Sequence, residues 1–177
     1  IVFMWLGALP FVLYVRMLKG NGRAVIDDVQ VRAFFTILLS MSLLIALFLL
    51  STGQMPFFDA IRNSVFMLTT LMTTTGFASG DYSKWGPLAE GVAFVAMYLG
   101  ACSGSTAGGI KTFRLQILFA MVQQQVRRLI VPHGVFQVHY NKKVVDNDVL
   151  TSVAVFFFVH ILTWMGVTIL LHLTGLD

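Results

Sequence analysis

Residues 33–50 form a run of eighteen residues without a charged side chain, bounded by Arg32 before it and by Ser51-Thr52-Gly53 after it. Such a run approaches the roughly 20 residues that carry an α-helix across a hydrocarbon core about 30 Å thick. Inside a bilayer the backbone has to satisfy its own hydrogen bonds, which leaves helices and closed barrels as the spanning structures. Composition points the same way. Of 177 residues, 57% are hydrophobic and 11% charged, and mean hydropathy is +0.82, against roughly 45–50% apolar and about 25% charged in soluble domains. This chain is patterned for a membrane, and disordered or collagen-like classes are excluded. Its single cysteine, Cys102, rules out an intrachain disulfide and a multi-cysteine metal site.

The remaining apolar runs give a topology. The chain is apolar from Ile1 onward, without a charged leader and small-residue cleavage site, so it is expected to open inside a membrane helix at residues 1–19. Pro10 is expected to be tolerated there because neighbouring groups can satisfy the freed carbonyl. A polar loop at 20–32, with Gly20 and Gly22 as breakers, leads to an outer spanning helix at 33–51. Pro56 suits the first position of the next helix, 56–72, and Asp59 falls in its first turn, favourable to the helix dipole. At ~1.5 Å per residue that helix reaches about 25 Å, short of a full crossing. A filter-like segment at 73–78 comes next, then a polar stretch, a helix at 87–129 broken at 100–109, a loop at 130–147 and a last helix at 148–177.

Charge decides whether the short helix crosses. If it dips in and returns, one side carries Arg16, Lys19, Arg23, Arg32, Lys111, Arg114, Arg127, Arg128, Lys142 and Lys143, and the other only Arg62 and Lys84. Ten against two is a strong positive-inside bias, whereas a crossing helix gives six against six. The expected fold is therefore all-α integral membrane: a channel-like repeat of span, re-entrant pore helix with filter loop, and broken span, with both polar loops cytoplasmic. The repeat rests on topology, not on internal self-similarity. The net charge of +4 flanks apolar runs instead of forming a basic patch, so no nucleic-acid partner is expected.

A re-entrant helix points the negative end of its dipole at the membrane middle, where a cation is favoured. Thr73, Thr74, Thr75, Gly76 and Phe77 then offer unwound carbonyls and hydroxyls able to replace the hydration shell of an alkali ion. Gly76 permits a positive φ, and Phe77 is expected to brace the loop from behind. The bland alternative makes Gly76 the residue just past the helix end, capping it with help from the threonines.

Gly100, Ala101, Cys102, Ser103, Gly104, Ser105, Thr106, Ala107, Gly108 and Gly109 interrupt the following helix. Gly100, Gly104 and Gly108 lie four apart, the spacing by which small residues let two membrane helices pack closely. Yet residues 87–128 as one helix would be about 63 Å long, and this stretch is made of poor helix formers. A kinked or unwound segment acting as a gate is the alternative. A phosphate-binding loop is disfavoured, because Ile110 separates Gly109 from Lys111 and no strand precedes it. Ser103 with His160 resembles the Ser and His pair of an intramembrane protease, although Ala101 stands where such enzymes usually carry Gly. His160 and His172 lie roughly 120° apart on a helix, which argues against a shared metal and for neutral histidines bonded to neighbouring helices. His133 and His139 fall in the polar loop, where residues 136–140 alternate and Asn141-Lys142 could turn a small hairpin.

The filter-like pentapeptide together with GACSGSTAGGIK at residues 100–111 resembles the third repeat of the Trk/Ktr superfamily of potassium-uptake membrane subunits, nearest the TrkH type. The similarity runs from LGALPFVLYV in the first segment to RRLIVPHGV at residues 127–135. The resemblance implies one subunit with four repeats around a pore in the bacterial cytoplasmic (inner) membrane, each giving one filter loop with a single key glycine, here Gly76. Potassium is then expected at Thr74, Thr75 and Gly76 as the transported ion, with no cofactor in this chain. The gating loop falls on residues 100–109. Expected partners are membrane lipid, the remaining repeats of the subunit, a second copy in a homodimer and a cytosolic nucleotide-binding regulatory subunit. A basic residue that the family places in the fourth repeat lies outside this sequence. Potassium transport without enzymatic activity is the resulting expectation, against an intramembrane serine protease or a non-conducting membrane assembly subunit.

Overall fold

The computed structural model describes residues 1–131, 134, 137–141 and 143–175, most of them in helices. The chain divides into two units, Ile1–Phe113 and Arg114–Asp177.

In the first unit, Pro10 splits the opening apolar segment into α1 (Val2–Ala8) and α2 (Phe11–Leu18). The single helix expected there is thus two short ones. A proline ring disfavours the helical region for the residue before it, and Leu9 is extended at φ −82°, ψ 152°. The groups freed by the break find partners elsewhere. Phe11 donates its amide to the Gly104 carbonyl at 3.0 Å, while the carbonyls of Ala8 and Gly7 accept the amides of Cys102 and Thr106, each at 3.2 Å.

A short helix, α3 (Ala24–Asp27), precedes the long α4 (Val29–Ser51). The expected start at residue 33 is four residues late, and the missed signal is Asp28. Its carboxylate accepts the amides of Gln30 and Val31 at 2.9 and 3.3 Å, satisfying two of the four donors that every helix start leaves open. The 23 residues of α4 rise about 35 Å, enough to span. Phe34, Leu38, Ile45 and Leu49 are wholly buried along one stripe. The stripe's polar member, Ser42, is satisfied by donating to the Leu38 carbonyl at 2.7 Å.

Next in the chain is α5 (Phe57–Met72), with Pro56 as its N-cap, one position before the place expected. It packs along α4 and contributes Ala60, Met67, Leu68 and Met72 to the shared core. Between membrane helices lipid removes most of the hydrophobic drive, so close packing of small residues matters more. Ala60 and Ser64 are fully buried, and Ser64 donates to the Ala60 carbonyl at 2.7 Å. At 16 residues, α5 reaches only about 24 Å.

A 3-10 turn at Tyr82–Trp85 leads to α6 (Pro87–Tyr98), which has Pro at its first turn. Asp81 caps the 3-10 turn, its carboxylate accepting the hydroxyl and amide of Ser83 at 2.6 and 3.2 Å. Those bonds hold the Asp81 carboxyl below its ordinary range. α7 (Thr112–Ile130) resumes after the break.

The second unit holds a small antiparallel hairpin and α8 (Asn147–Leu173). Strands β1 (His139–Tyr140) and β2 (Lys143–Val144) pair His139 with Val144 and Tyr140 with Lys143. Asn141 turns between them at φ 49°, and Tyr140 donates to Gln116 Oε1 at 3.0 Å. His133, Phe136 and Lys142 lie outside the described residues. α4 and α8 are the described helices long and apolar enough to cross a membrane, with mean hydropathy 2.6 and 2.2. α7 is long enough but too polar, carrying Arg114, Gln116 and three successive glutamines at 123–125.

Asp28→Ala is expected to cost about 1 kcal/mol through the lost cap. The check is a lowered thermal unfolding midpoint of the purified full-length protein in detergent, with Asp28→Asn restoring most of it.

Candidate functional site

The end of α5 is closed by a specific hydrogen-bond pattern. Thr75 donates its amide to the Thr70 carbonyl at 3.0 Å, and Thr74 donates to the Leu71 carbonyl at 3.1 Å. This crossed pair is a Schellman closure, whose left-handed position is usually Gly. Here that position is Thr74, at φ 53°. Gly76, at φ 80°, lies two residues beyond the closed helix end. The capping alternative for Gly76 is thereby overturned, because Thr74 already performs that role and Gly76 bends backbone that is no longer helical.

The threonine hydroxyls reinforce the closure. Thr73 donates its hydroxyl to the Thr69 carbonyl at 2.7 Å and lies 2.6 Å from the Thr75 hydroxyl. The Trp5 indole donates to Thr69 Oγ1 at 3.1 Å. Among the described residues, no protein donor bonds the carbonyl oxygens of Thr74, Thr75 or Gly76. Phe77 does not brace the loop: it is 62% exposed. The space behind Gly76 and Phe77 is instead a cavity of about 200 Å³, lined also by Thr70, Tyr82 and Trp85, and Trp85 is the buried aromatic there. The Thr70 hydroxyl is buried without a protein partner among the described residues.

The glycine-rich break runs between the ends of α6 and α7 and is cinched at its base. Gly100 donates to the Ile110 carbonyl at 2.8 Å, Ile110 to the Tyr98 carbonyl at 2.9 Å, and Thr112 to the Ala101 carbonyl at 3.1 Å. The Thr112 hydroxyl adds a bond to the Gly100 carbonyl at 3.1 Å. Gly100 has to be glycine: a Cβ there would collide with the Gly108 carbonyl oxygen and sit 3.0 Å from backbone atoms of Gly109 and Ile110. Gly104 and Gly109 adopt positive φ, 74° and 69°. The Lys111 ammonium donates to the carbonyls of Ser105 and Ala107. Because the segment is not helical, the four-residue spacing of Gly100, Gly104 and Gly108 forms no helical packing stripe.

Filter-like loop and break meet directly. Gly108 donates its amide to the Thr74 hydroxyl at 2.8 Å. Of the residues singled out from the sequence, the structure joins Thr74 to Gly108, Thr73 to Thr75, and Cys102, Gly104 and Thr106 to the Pro10 break. Trp5, Gln30, Thr69, Lys111 and Thr112 are supporting residues that sequence reasoning missed. Gln30 Oε1 accepts the Ser103 amide at 2.9 Å across 73 positions, and no local pattern signals such a bond.

Among the described residues, the histidines of α8 engage their own helix. His160 stacks on Phe156 at 5.6 Å, and His172 Nδ1 lies 3.1 Å from the Thr168 carbonyl. Arg114 covers the Phe156 ring at 3.9 Å, a cation–π contact. Among the described residues, no three His, Cys, Asp or Glu side chains are grouped to hold a metal.

Comparison with known proteins bears on the whole chain. A family model described as "TrkH: Cation transport protein" matches residues 1–175. The chain is 40% identical to the Trk system potassium uptake protein TrkI of Halomonas elongata, over 99% of this chain and 36% of that protein. It is 28% identical to TrkG of Escherichia coli over the same shares, and 25% identical to TrkH of Vibrio parahaemolyticus over 100% of this chain and 37% of that protein. The chain thus spans little more than a third of the length of these curated relatives.

Gly100→Ala is expected to destabilise the break by roughly 1–3 kcal/mol, the usual range for forcing atoms into a packed site. The thermal unfolding midpoint of the full-length protein reports it. Gly104→Ala, which meets open space and carries only left-handed strain of roughly 1–2 kcal/mol, is expected to lower it less.

Proposed function

The chain belongs to the TrkH family of cation transport proteins, and on that premise we propose that it forms part of the ion-conducting subunit of a Trk-type potassium uptake system in the bacterial inner membrane. Thr74, Thr75 and Gly76 hold the potassium ion with their backbone carbonyls, Thr73 and Phe77 flank them, and residues 100–109 form a gate beside them. The observation that carries this reading is the conformation after α5. The helix is closed at Thr74, yet Gly76 turns the chain a second time, and among the described residues the three successive carbonyls of Thr74, Thr75 and Gly76 have no protein donor. In a membrane, irregular backbone of this kind is tolerated where it is buried in protein or lines a watery path, and carbonyl oxygens are the groups that replace an alkali ion's water.

The size of α5 supports a re-entrant placement, since about 24 Å is short of a crossing, and its C-terminal dipole favours a cation at the loop. A complete pore needs three further loops from the rest of the subunit. The names of the relatives speak of a Trk system, and a cytosolic nucleotide-binding subunit and a second copy of the membrane subunit are the proposed partners. The protease reading loses ground because the chain matches a family of cation transport proteins. The assembly reading required a helical glycine stripe, and residues 99–111 are not helical.

Gly76→Ser tests the filter in the full-length protein. A Cβ at Gly76 meets nothing within 4 Å, so the change acts through the left-handed backbone, at roughly 1–2 kcal/mol, and not through a clash. Rubidium uptake by potassium-transport-deficient cells should then lose several-fold of its preference for potassium over sodium as competitor, at unchanged expression. Unaltered competition would sink the filter assignment.

A further inference from the structure

The residue in the left-handed position at the end of α5 is β-branched. Gly or Asn is the ordinary occupant of that position, and a β-branched side chain at positive φ is an outlier that persists only where the surroundings hold it. The helix closure does not need the side chain, because the crossed amide bonds of Thr74 and Thr75 are backbone bonds. What the Thr74 side chain adds is one acceptor, Oγ1, bonded to the Gly108 amide at 2.8 Å. A Cβ at Gly108 would stand at ordinary van der Waals distance from Thr74, 3.4 Å from Cγ2 and 3.5 Å from Oγ1, so the contact is made by the backbone amide and tests on Thr74 address it directly. With Gly at 74 the helix would close equally well and the Gly108 amide would lose its partner.

We infer that Gly108 is a positioning residue for the filter: its amide holds the Thr74 hydroxyl, so that the broken helix and the filter loop change state together. This rests on the filter reading above. When the break opens at Ser103 and Gly108, the Gly108 amide leaves, and the bond that offsets the strain at Thr74 is lost one residue before the carbonyls of Thr75 and Gly76. Opening of the break therefore loosens the filter, and an ion seated in the filter holds the break shut. Coupling between two sites is reciprocal, so each direction can be read from the other end.

Cys102 supplies the readout, since it lies in the break beside Ser103 and is fully buried. In the full-length protein, with any cysteine outside this segment replaced by serine, labelling of Cys102 by a small maleimide is followed in potassium and in choline. Labelling is expected to be slower in potassium. Thr74→Val, which keeps the branched shape and removes the acceptor, should raise the rate about five- to tenfold, the effect of losing one net hydrogen bond, and abolish the dependence on potassium. Thr74→Ser, which keeps the hydroxyl, should retain the wild-type dependence. A wild-type rate indifferent to potassium overturns the coupling without any mutant, and so does a Thr74→Val rate equal to wild type. If the Thr74 hydroxyl served only the permeating ion, its loss in Thr74→Val would alter rubidium uptake and leave Cys102 labelling unmoved. Failure of the filter reading is separate: it appears as unaltered sodium competition in Gly76→Ser, which does not depend on the labelling result.

Discussion

Two helix interruptions, at Pro10 and at residues 99–111, satisfy one another's backbone, and the site depends on that exchange. Each break alone would leave carbonyls and amides unpaired in a medium with no water, at several kcal/mol per group. Placed side by side they trade three backbone bonds: Phe11 to Gly104, Cys102 to Ala8 and Thr106 to Gly7. The Thr106 hydroxyl adds a further bond to the Gly7 carbonyl at 3.0 Å. A Cβ at Gly7 would lie only 3.1 Å from that hydroxyl, so the close approach of α1 is part of the same arrangement. The proline is therefore a partner of the glycine-rich segment, supplying the open carbonyls that an uninterrupted helix would have used internally.

The threonines at the end of α5 and just beyond it do two unlike jobs. Thr69, Thr73 and Thr75 turn their hydroxyls toward the helix end or toward Trp5, stiffening the platform. Thr74 turns its hydroxyl away, to Gly108. Bonds within α5 thus fix the backbone up to Thr75, and beyond that residue Gly76 alone turns the chain.

Much of the layout was legible in the sequence because it derives from periodicity and length: the charge-free run of α4, the shortness of α5, and the density of glycine between α6 and α7. What escaped has physical reasons. The start of α4 was missed because the first turn, with Gln30 and Arg32, looks like loop until Asp28 is recognised as a cap. The capping alternative put glycine at the left-handed position closing α5, but Thr74 occupies it, held by a bond from a segment 34 residues away. Phe77 was expected to pack inward, whereas Trp85, brought by the 3-10 turn, occupies the interior. The glycines of the break all read alike in sequence, yet Gly100 answers a backbone collision and Gly104 and Gly109 answer positive φ. Distance in sequence is what hides these distinctions.

The fastening of the break is uneven, and that bears on its proposed role as a gate. Its base is held by a ladder of backbone bonds between residues 98–101 and 110–112, cooperative and rooted in two helices. The Gln30 carboxamide on Ser103 and the Thr74 hydroxyl on Gly108 are single side-chain contacts, each worth about 1 kcal/mol net. The low-stability end of a structure is where moving parts are drawn from. A ligand or partner subunit typically couples to a distant site with about 1–3 kcal/mol, which matches the side-chain contacts and falls short of the base ladder together with the exchange at Pro10. Gly108 and Ser103, the latter next to Cys102, are therefore the contacts that release first, so movement there is within the reach of regulation and collapse of the base ladder is not.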